Sequence, residues 1–172
     1  MTIVTRYNYS TVLEDIAMER FISLDTETEG LYPYHGDKFF SFSVSTQKMN
    51  YYFNFNEAPD IPEEMVLNRE KVLEGLQVCV DSADFLFMMN AKFDLHFLNV
   101  LDWTKANVYD IEVMAKIIYN EHTSYSLENQ AKRHGMNKDD GVKAEIKERK
   151  LKEKRTREWK TWNQPMFNKV SF

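Results

Sequence analysis

Apolar and polar positions along this chain change period several times, and each change marks a predicted element. Residues 9–20 carry Val12, Leu13, Ile16 and Ala17 at helical spacing, with Ser10 or Thr11 available as the cap. The run Phe21-Ile22-Ser23-Leu24 then predicts a buried strand over 21–25 that ends on Asp25, and Gly30 lets the chain turn away. Residues 32–38, with Pro33 and Gly36, form a loop. Residues 39–45 alternate in part, and 49–55 form a second strand after a short hairpin. Both are expected as antiparallel neighbours of the first strand, with Phe39, Phe42, Tyr51, Phe53 and Phe55 in the core.

Beyond Pro59 and Pro62, residues 68–80 place Val72, Leu73, Leu76, Cys79 and Val80 on one helical face. Phe85-Leu86-Phe87-Met88-Met89 is apolar throughout, which predicts a central strand covered on both faces. A helix begins at Asn90, a short strand spans 107–109, and Asp110 starts a helix carrying Ile111, Met114, Ala115 and Ile118. Ser126 starts another that stops at His134-Gly135. Residues 141–159 read as a charged helix and 162–172 as an irregular end around Pro165. Strands first, then strands alternating with helices, give an α/β fold with a sheet of mixed direction.

Composition changes this picture little. With 172 residues, 43% hydrophobic and 28% charged, the chain is long enough for a sizeable core. No apolar run approaches the ~20 residues needed to cross a bilayer, so no membrane partner is expected. The amino terminus lacks the apolar stretch of a secretory signal. A lone cysteine, Cys79, cannot form an internal disulfide and suits a reducing cytosol. Charge changes more. Residues 143–172 hold 10 Lys+Arg against 4 Asp+Glu, so the net −5 of the whole chain conceals a strongly acidic first 142 residues. We therefore expect a body over 1–142 and a charged helix and tail over 143–172 belonging to the same domain.

Two clusters carry candidate chemistry. Asp25 and Glu27 are two apart, so on a strand they stand on the same side of the sheet. They lie at its carboxyl end, where open α/β sheets place ligands. Like charges this close call for a cation between them, and a divalent, oxygen-loving metal is the usual one. Downstream, Asn90 and Asp94 are four apart at a strand–helix junction and can share a helix face. Either pattern alone is common: carboxylates at a strand end, an Asn cap, an Asp favoured by the helix dipole.

Together they resemble a known family. Asp25-Thr26-Glu27-Thr28-Glu29-Gly30-Leu31, followed by Pro33, is similar to the first motif of the DEDD 3′–5′ exonucleases, and Asn90-x-x-Phe93-Asp94 to the second. The resemblance is strongest to the proofreading domain of family A, polymerase I-like DNA polymerases. Asp110-Ile-Glu-Val-Met-Ala115 and residues 125–131 resemble helix starts downstream of that second motif, with Asp110 as a helix cap. The resemblance implies a ribonuclease H-like mixed sheet flanked by helices, and hydrolysis of the 3′-terminal phosphodiester of single-stranded DNA. It implies two Mg²⁺ or Mn²⁺ ions about 3.5–4 Å apart, bridged by Asp25, with Glu27 on the first and Asp94 on the second. Leu31 would wedge against the terminal base, with Thr28 and Asn90 near the terminal nucleotide or phosphate. The implied setting is the cytoplasm of a bacterial or phage-infected host cell, and the implied neighbour a polymerase domain. His96 and His122 are expected as surface or cap residues.

One part of the pattern is missing. The family's third motif in this branch is Tyr-x-x-x-Asp, and none of the nine tyrosines has Asp four positions on. The fourth carboxylate is expected beyond residue 172 or from another chain, and the chain alone is expected to turn over very slowly. His134 and Asp139 have the spacing of the superfamily's histidine branch and form a rival third motif. The alternative function is a catalytically incomplete domain that binds metal, single-stranded DNA or a protein partner.

Overall fold

The computed structural model describes residues 1–59, 61–121 and 124–136. The expectations for 141–159, for 162–172, for the basic stretch 143–172 and for His122 lie outside the described residues. Contacts divide the chain into two compact units, Met1–Leu127 and Glu128–Phe172.

The first unit is built on a six-stranded mixed sheet, as the α/β reading requires. Its strands are β1 (Thr2–Ile3), β2 (Phe21–Thr28), β3 (Phe39–Thr46), β4 (Asn50–Asn54), β5 (Phe85–Met88) and β6 (Val108–Asp110). They lie in the order β1-β4-β3-β2-β5-β6. The β2–β3–β4 ladders are antiparallel, while β5 and β6 add in parallel on the other side of β2. Only β3 neighbours β2 on the hairpin side. β4 lies one strand further out, because a two-strand hairpin packed against a third strand leaves one arm outside. β1 is too short to leave a sequence signal, and it pairs in parallel with β4.

Helices α1 (Tyr9–Ala17), α2 (Arg69–Ser82), α3 (Ala91–Phe97) and α4 (Ile111–Ile118) complete the unit. Val12, Leu13 and Ile16 of α1 are buried, as are Val72, Leu76, Cys79 and Val80 of α2. The two helices close up at Gly75, where an added Cβ would lie 2.6 Å from Leu13 Cδ1. Neither Ser10 nor Thr11 caps α1. The cap position is Asn8, whose Oδ1 turns back to accept from Thr5 N at 2.8 Å. Cys79 is fully buried and its Sγ donates to Leu13 O, and burial pushes the thiol up to about 12.

Phe42 and Phe53 are fully buried and stack face to face, with centroids 4.5 Å apart. Phe39 is buried, while Tyr51 and Phe55 pack against the core from its edge. The expectation that residues 85–89 are covered on both faces is corrected. Leu86 and Met88 point into the core, whereas Phe85 and Phe87 are half-buried. Rings on the neighbouring strands flank them on the same face, with Phe21 stacked on Phe85 at 4.9 Å and Tyr109 tilted against both. Phe87 also lines a cleft beside Asp25 with Ile111 and Leu127, so this face is partly covered among the described residues.

Of the second unit, residues 128–136 are described. They continue α5 (Leu127–Arg133), which ends where Met136 N donates to Ala131 O at 2.9 Å. Gly135 takes φ 73°, the left-handed turn a helix stop needs.

Candidate active site

β2 runs further than its apolar stretch, through Thr28, because β3 keeps pairing with it: Asp25 faces Ser43 and Glu27 faces Ser41 across the ladder. The register slips between Glu27 and Thr28, and such a slip bends the strand just past the second carboxylate. Alternation then sorts the segment. Asp25 and Glu27 are exposed on one face, while Leu24 and Thr26 are buried on the other.

Serine at Ser41, Ser43 and Ser45 keeps the neighbouring strand low beside the carboxylates. Asp25 accordingly lines a cleft of about 260 Å³ with Ser23, Ser43, Ser45, Phe87 and Ile111. These serines went unassigned in the sequence, although the small–large alternation of residues 39–45 was visible. The chain turns after Thr28, whose Oγ1 donates to Gly30 O at 2.7 Å. Gly30 has no special φ there, but a Cβ would meet the Asp37 carboxylate at 2.1 Å and push that side chain aside. That carboxylate accepts from Tyr32 N at 2.9 Å and so closes the loop.

Asp94 reaches the site from α3. β2 pairs with β5 only as far as Ser23, because β5 then turns into α3. The next backbone donor of β2 on that side is met by a side chain: Thr26 N donates to Asp94 Oδ1 at 2.9 Å, and Thr26 Oγ1 donates to the same oxygen at 2.6 Å. Asp94 is only 2% exposed. Burial raises its carboxyl above the ordinary range, the two Thr26 bonds pull it back, and the charge of Asp25 raises it again. Asp25 is thus close enough to repel it.

The structure brings Asp25, Glu27 and Asp94 to one strand segment, but on different sides of it. Among the described residues no group of three acidic, histidine or cysteine side chains could hold a metal ion as placed. The donor set itself suits a hard divalent cation, being all carboxylate oxygen. Both Thr26 bonds fall on Oδ1, which leaves Oδ2 outside that pair.

The folded chain holds the Asp94 proton more tightly than the unfolded chain does. Its stabilising share is therefore complete below the unfolded value of about 4 and is lost as pH rises through the higher folded value. Asp94→Asn keeps an acceptor for Thr26 and removes the charge. In metal-free urea unfolding at pH 7 the variant is expected to be the more stable by about 1 kcal/mol, with the gap closing toward pH 4.

Asn90 does not cap α3 with its side chain. It sits at φ 58°, ψ 52°, the one non-glycine residue with positive φ among the described residues. The junction is capped instead by Asp110, which also caps α4 as expected, accepting from Glu112 N at 2.9 Å. Leu31 is 67% exposed and borders a cavity of about 180 Å³ with Tyr34, Phe93 and His96. His96 Nδ1 and Tyr34 Oη share a hydrogen bond at 2.5 Å, so this histidine serves the cavity wall. His134 lies at the end of α5, and its partner in the rival motif, Asp139, lies outside the described residues.

Comparison with known proteins gives a family and a shared fold. A family profile described as 3′–5′ exonuclease matches residues 2–168. A comparison with curated sequences finds no significant match. Among solved structures, the chain is similar to Brucella melitensis NrnC with bound Mg²⁺, at TM-score 0.53 and 18% identity, over 74% of this chain and 59% of that one. It is similar to the exoribonuclease RNase D of Escherichia coli at TM-score 0.59 and 14% identity, covering 82% of this chain and 35% of that one. The Aedes aegypti Nibbler EXO domain gives TM-score 0.61 and 11% identity, over 82% and 71%. The chain spans less than three fifths of the length of the Brucella nuclease chains it matches.

Proposed function

We propose that this chain, which belongs to the 3′–5′ exonuclease family, removes nucleotides from the 3′ end of single-stranded DNA in the proofreading service of a DNA polymerase. The observation that carries the reading is the pair Asp25 and Glu27, exposed on one face of β2, with Asp94 delivered to the residue between them. In this reading the three carboxylates would hold Mg²⁺ or Mn²⁺, two ions in a complete site, Asp94 through the Oδ2 that its Thr26 bonds leave outside. Divalent ions there supply an activated water and neutralise charge on the phosphodiester.

The chain's own residues do the rest. Asp25 would hold both ions, Glu27 would hold the first and orient the attacking water, and Asp94 would hold the second on the leaving-group side. Leu31, at the mouth of its aromatic cavity, wedges against the terminal base, whose flat face suits stacking on Tyr34 or Phe93. Thr28 holds the turn that presents Leu31, and Asn90 faces the terminal nucleotide. The acidic first 142 residues suit the capture of one strand end over cations better than broad duplex binding. No helix of the described residues is long and apolar enough to cross a membrane, in keeping with work in the cytoplasm of a bacterial or phage-infected cell.

Two observations favour a second reading, binding without turnover: the described residues as placed form no metal-holding group, and no Tyr-x-x-x-Asp occurs in the sequence given. Incubating 5′-labelled DNA and RNA oligonucleotides with excess protein and Mn²⁺ separates the readings. We expect slow, stepwise shortening of the DNA that chelation stops. Shortening of RNA alone would move the substrate to RNA. Metal-dependent binding with no shortening would favour the second reading.

A further inference from the structure

The strand–helix junction that carries the second motif is held by a residue from outside it. Asp110 ends β6, and the parallel register sets it beside Met88, two residues before Asn90. From there its carboxylate reaches across the strand ends. Oδ2 accepts from Ala91 N at 2.9 Å, and Oδ1 accepts from Asn90 N at 3.3 Å. Oδ1 also accepts from Glu112 N at 2.9 Å and Val113 N at 3.3 Å at the start of α4. One side chain thus meets four backbone donors from two helix starts.

Capping α4 needs only Oδ1, and serine or asparagine would serve as well. The second oxygen is spent on the junction. What it holds there is a backbone conformation that is uncommon outside glycine, although asparagine tolerates it better than most. Strain of this kind persists where surrounding contacts fix it, and it gathers at functional positions. Asn90 in this conformation makes no cap bond with its side chain, while Phe93 N donates to Asn90 O at 2.9 Å and starts the helix that carries Asp94.

We propose that Asp110 is a positioning residue for the nucleic-acid end of the site: its carboxylate fixes the left-handed turn at Asn90 and thereby aims the Asn90 side chain at the strand terminus. Asp94 depends on it less, because Thr26 anchors that carboxylate separately. The inference rests on the exonuclease reading for its substrate, and on the hydrogen bonds alone for the positioning.

Asp110→Ser and Asp110→Asn test it, since both can cap α4 and neither can serve both starts with two acceptor oxygens. Three readouts are compared with the parent: thermal melting, amide hydrogen exchange, and affinity for a 5′-fluorescein oligothymidylate in Ca²⁺, which keeps metal present without turnover. We expect melting close to the parent and retained protection at Glu112 and Val113. Protection at Ala91 should be lost, and oligonucleotide affinity should fall about tenfold, the order of one lost hydrogen bond. Asn90→Ala should weaken binding to a similar extent. Parent-like affinity in both Asp110 variants, or parent-like protection of Ala91, would overturn the proposal. A parent that does not bind the oligonucleotide would sink the substrate reading, and Ala91 exchange would then decide the positioning by itself.

Discussion

Asp25→Ala is expected to remove metal-dependent shortening of a 3′ end almost completely while leaving the fold intact. Asp25 is exposed, and its strand is held by a backbone ladder to Ser43 that alanine preserves. A metal that polarises a phosphodiester stabilises the transition state by several kcal/mol, which corresponds to roughly a thousandfold in rate. Single-turnover assays with protein in excess make even a slow parent rate measurable. Thermal melting run beside them separates loss of chemistry from loss of structure. A variant that keeps its melting point and loses the rate supports the assignment. A rate within about tenfold of the parent would remove Asp25 from the site. The same variant removes one of the influences that raise Asp94, so the pH dependence of its stability should flatten.

The largest effect on stability is expected from Phe42→Ala. Phe42 is fully buried, stacks on Phe53 at 4.5 Å and touches Phe55 with centroids 5.8 Å apart. Truncating such a ring costs about 3–5 kcal/mol, a large part of the roughly 5–15 kcal/mol that holds a domain together. Phe42 also pairs with Thr26 across the β2–β3 ladder. Its loss therefore loosens the strand segment from which the carboxylates project. Urea unfolding should show the drop, and Phe53→Ala added to it should cost less than the sum of the two, since each ring is the other's contact. A change of less than about 1 kcal/mol would mean that the hairpin side of the sheet is not the core it is taken to be.

The parts of this fold that are local were legible in the sequence, and the parts that are not local were hidden. Helices α1 and α2 announced themselves through Val12, Leu13 and Ile16, and through Val72, Leu76 and Val80, which recur with the helical period and are buried. β3 and β4 were legible from alternation. Asp25 and Glu27 were legible as a pair because a strand has period two. The full length of β2 was not, since Asp25 to Thr28 hold strand geometry through partners on β3 and not through their own polarity. The bond from Thr26 to Asp94 joins residues 68 apart, so no spacing rule could find it. Asp110 read correctly as a cap for its own helix, but its grip on Asn90 and Ala91 needs the register of β5 against β6. Asn90 holds the cap position of α3, as its residue type allows, but its side chain makes no cap bond and its own N–H is met by Asp110. Phe85 and Phe87 are half-buried where full cover was expected, because rings on neighbouring strands shield only part of each side chain and apolarity in sequence does not tell partial from full cover.

Asp25, Glu27 and Asp94 are proposed to form one divalent-metal site, with Asp94 also bonded to Thr26. Titrating Mn²⁺ into ¹⁵N-labelled protein and recording paramagnetic loss of amide signals tests it most directly. Signals at residues 24–28 and 91–95 are expected to fade first and together, and Asp25→Ala/Glu27→Ala to abolish the effect at both segments. Fading that spares residues 91–95, or that survives unchanged in the double variant, would contradict it.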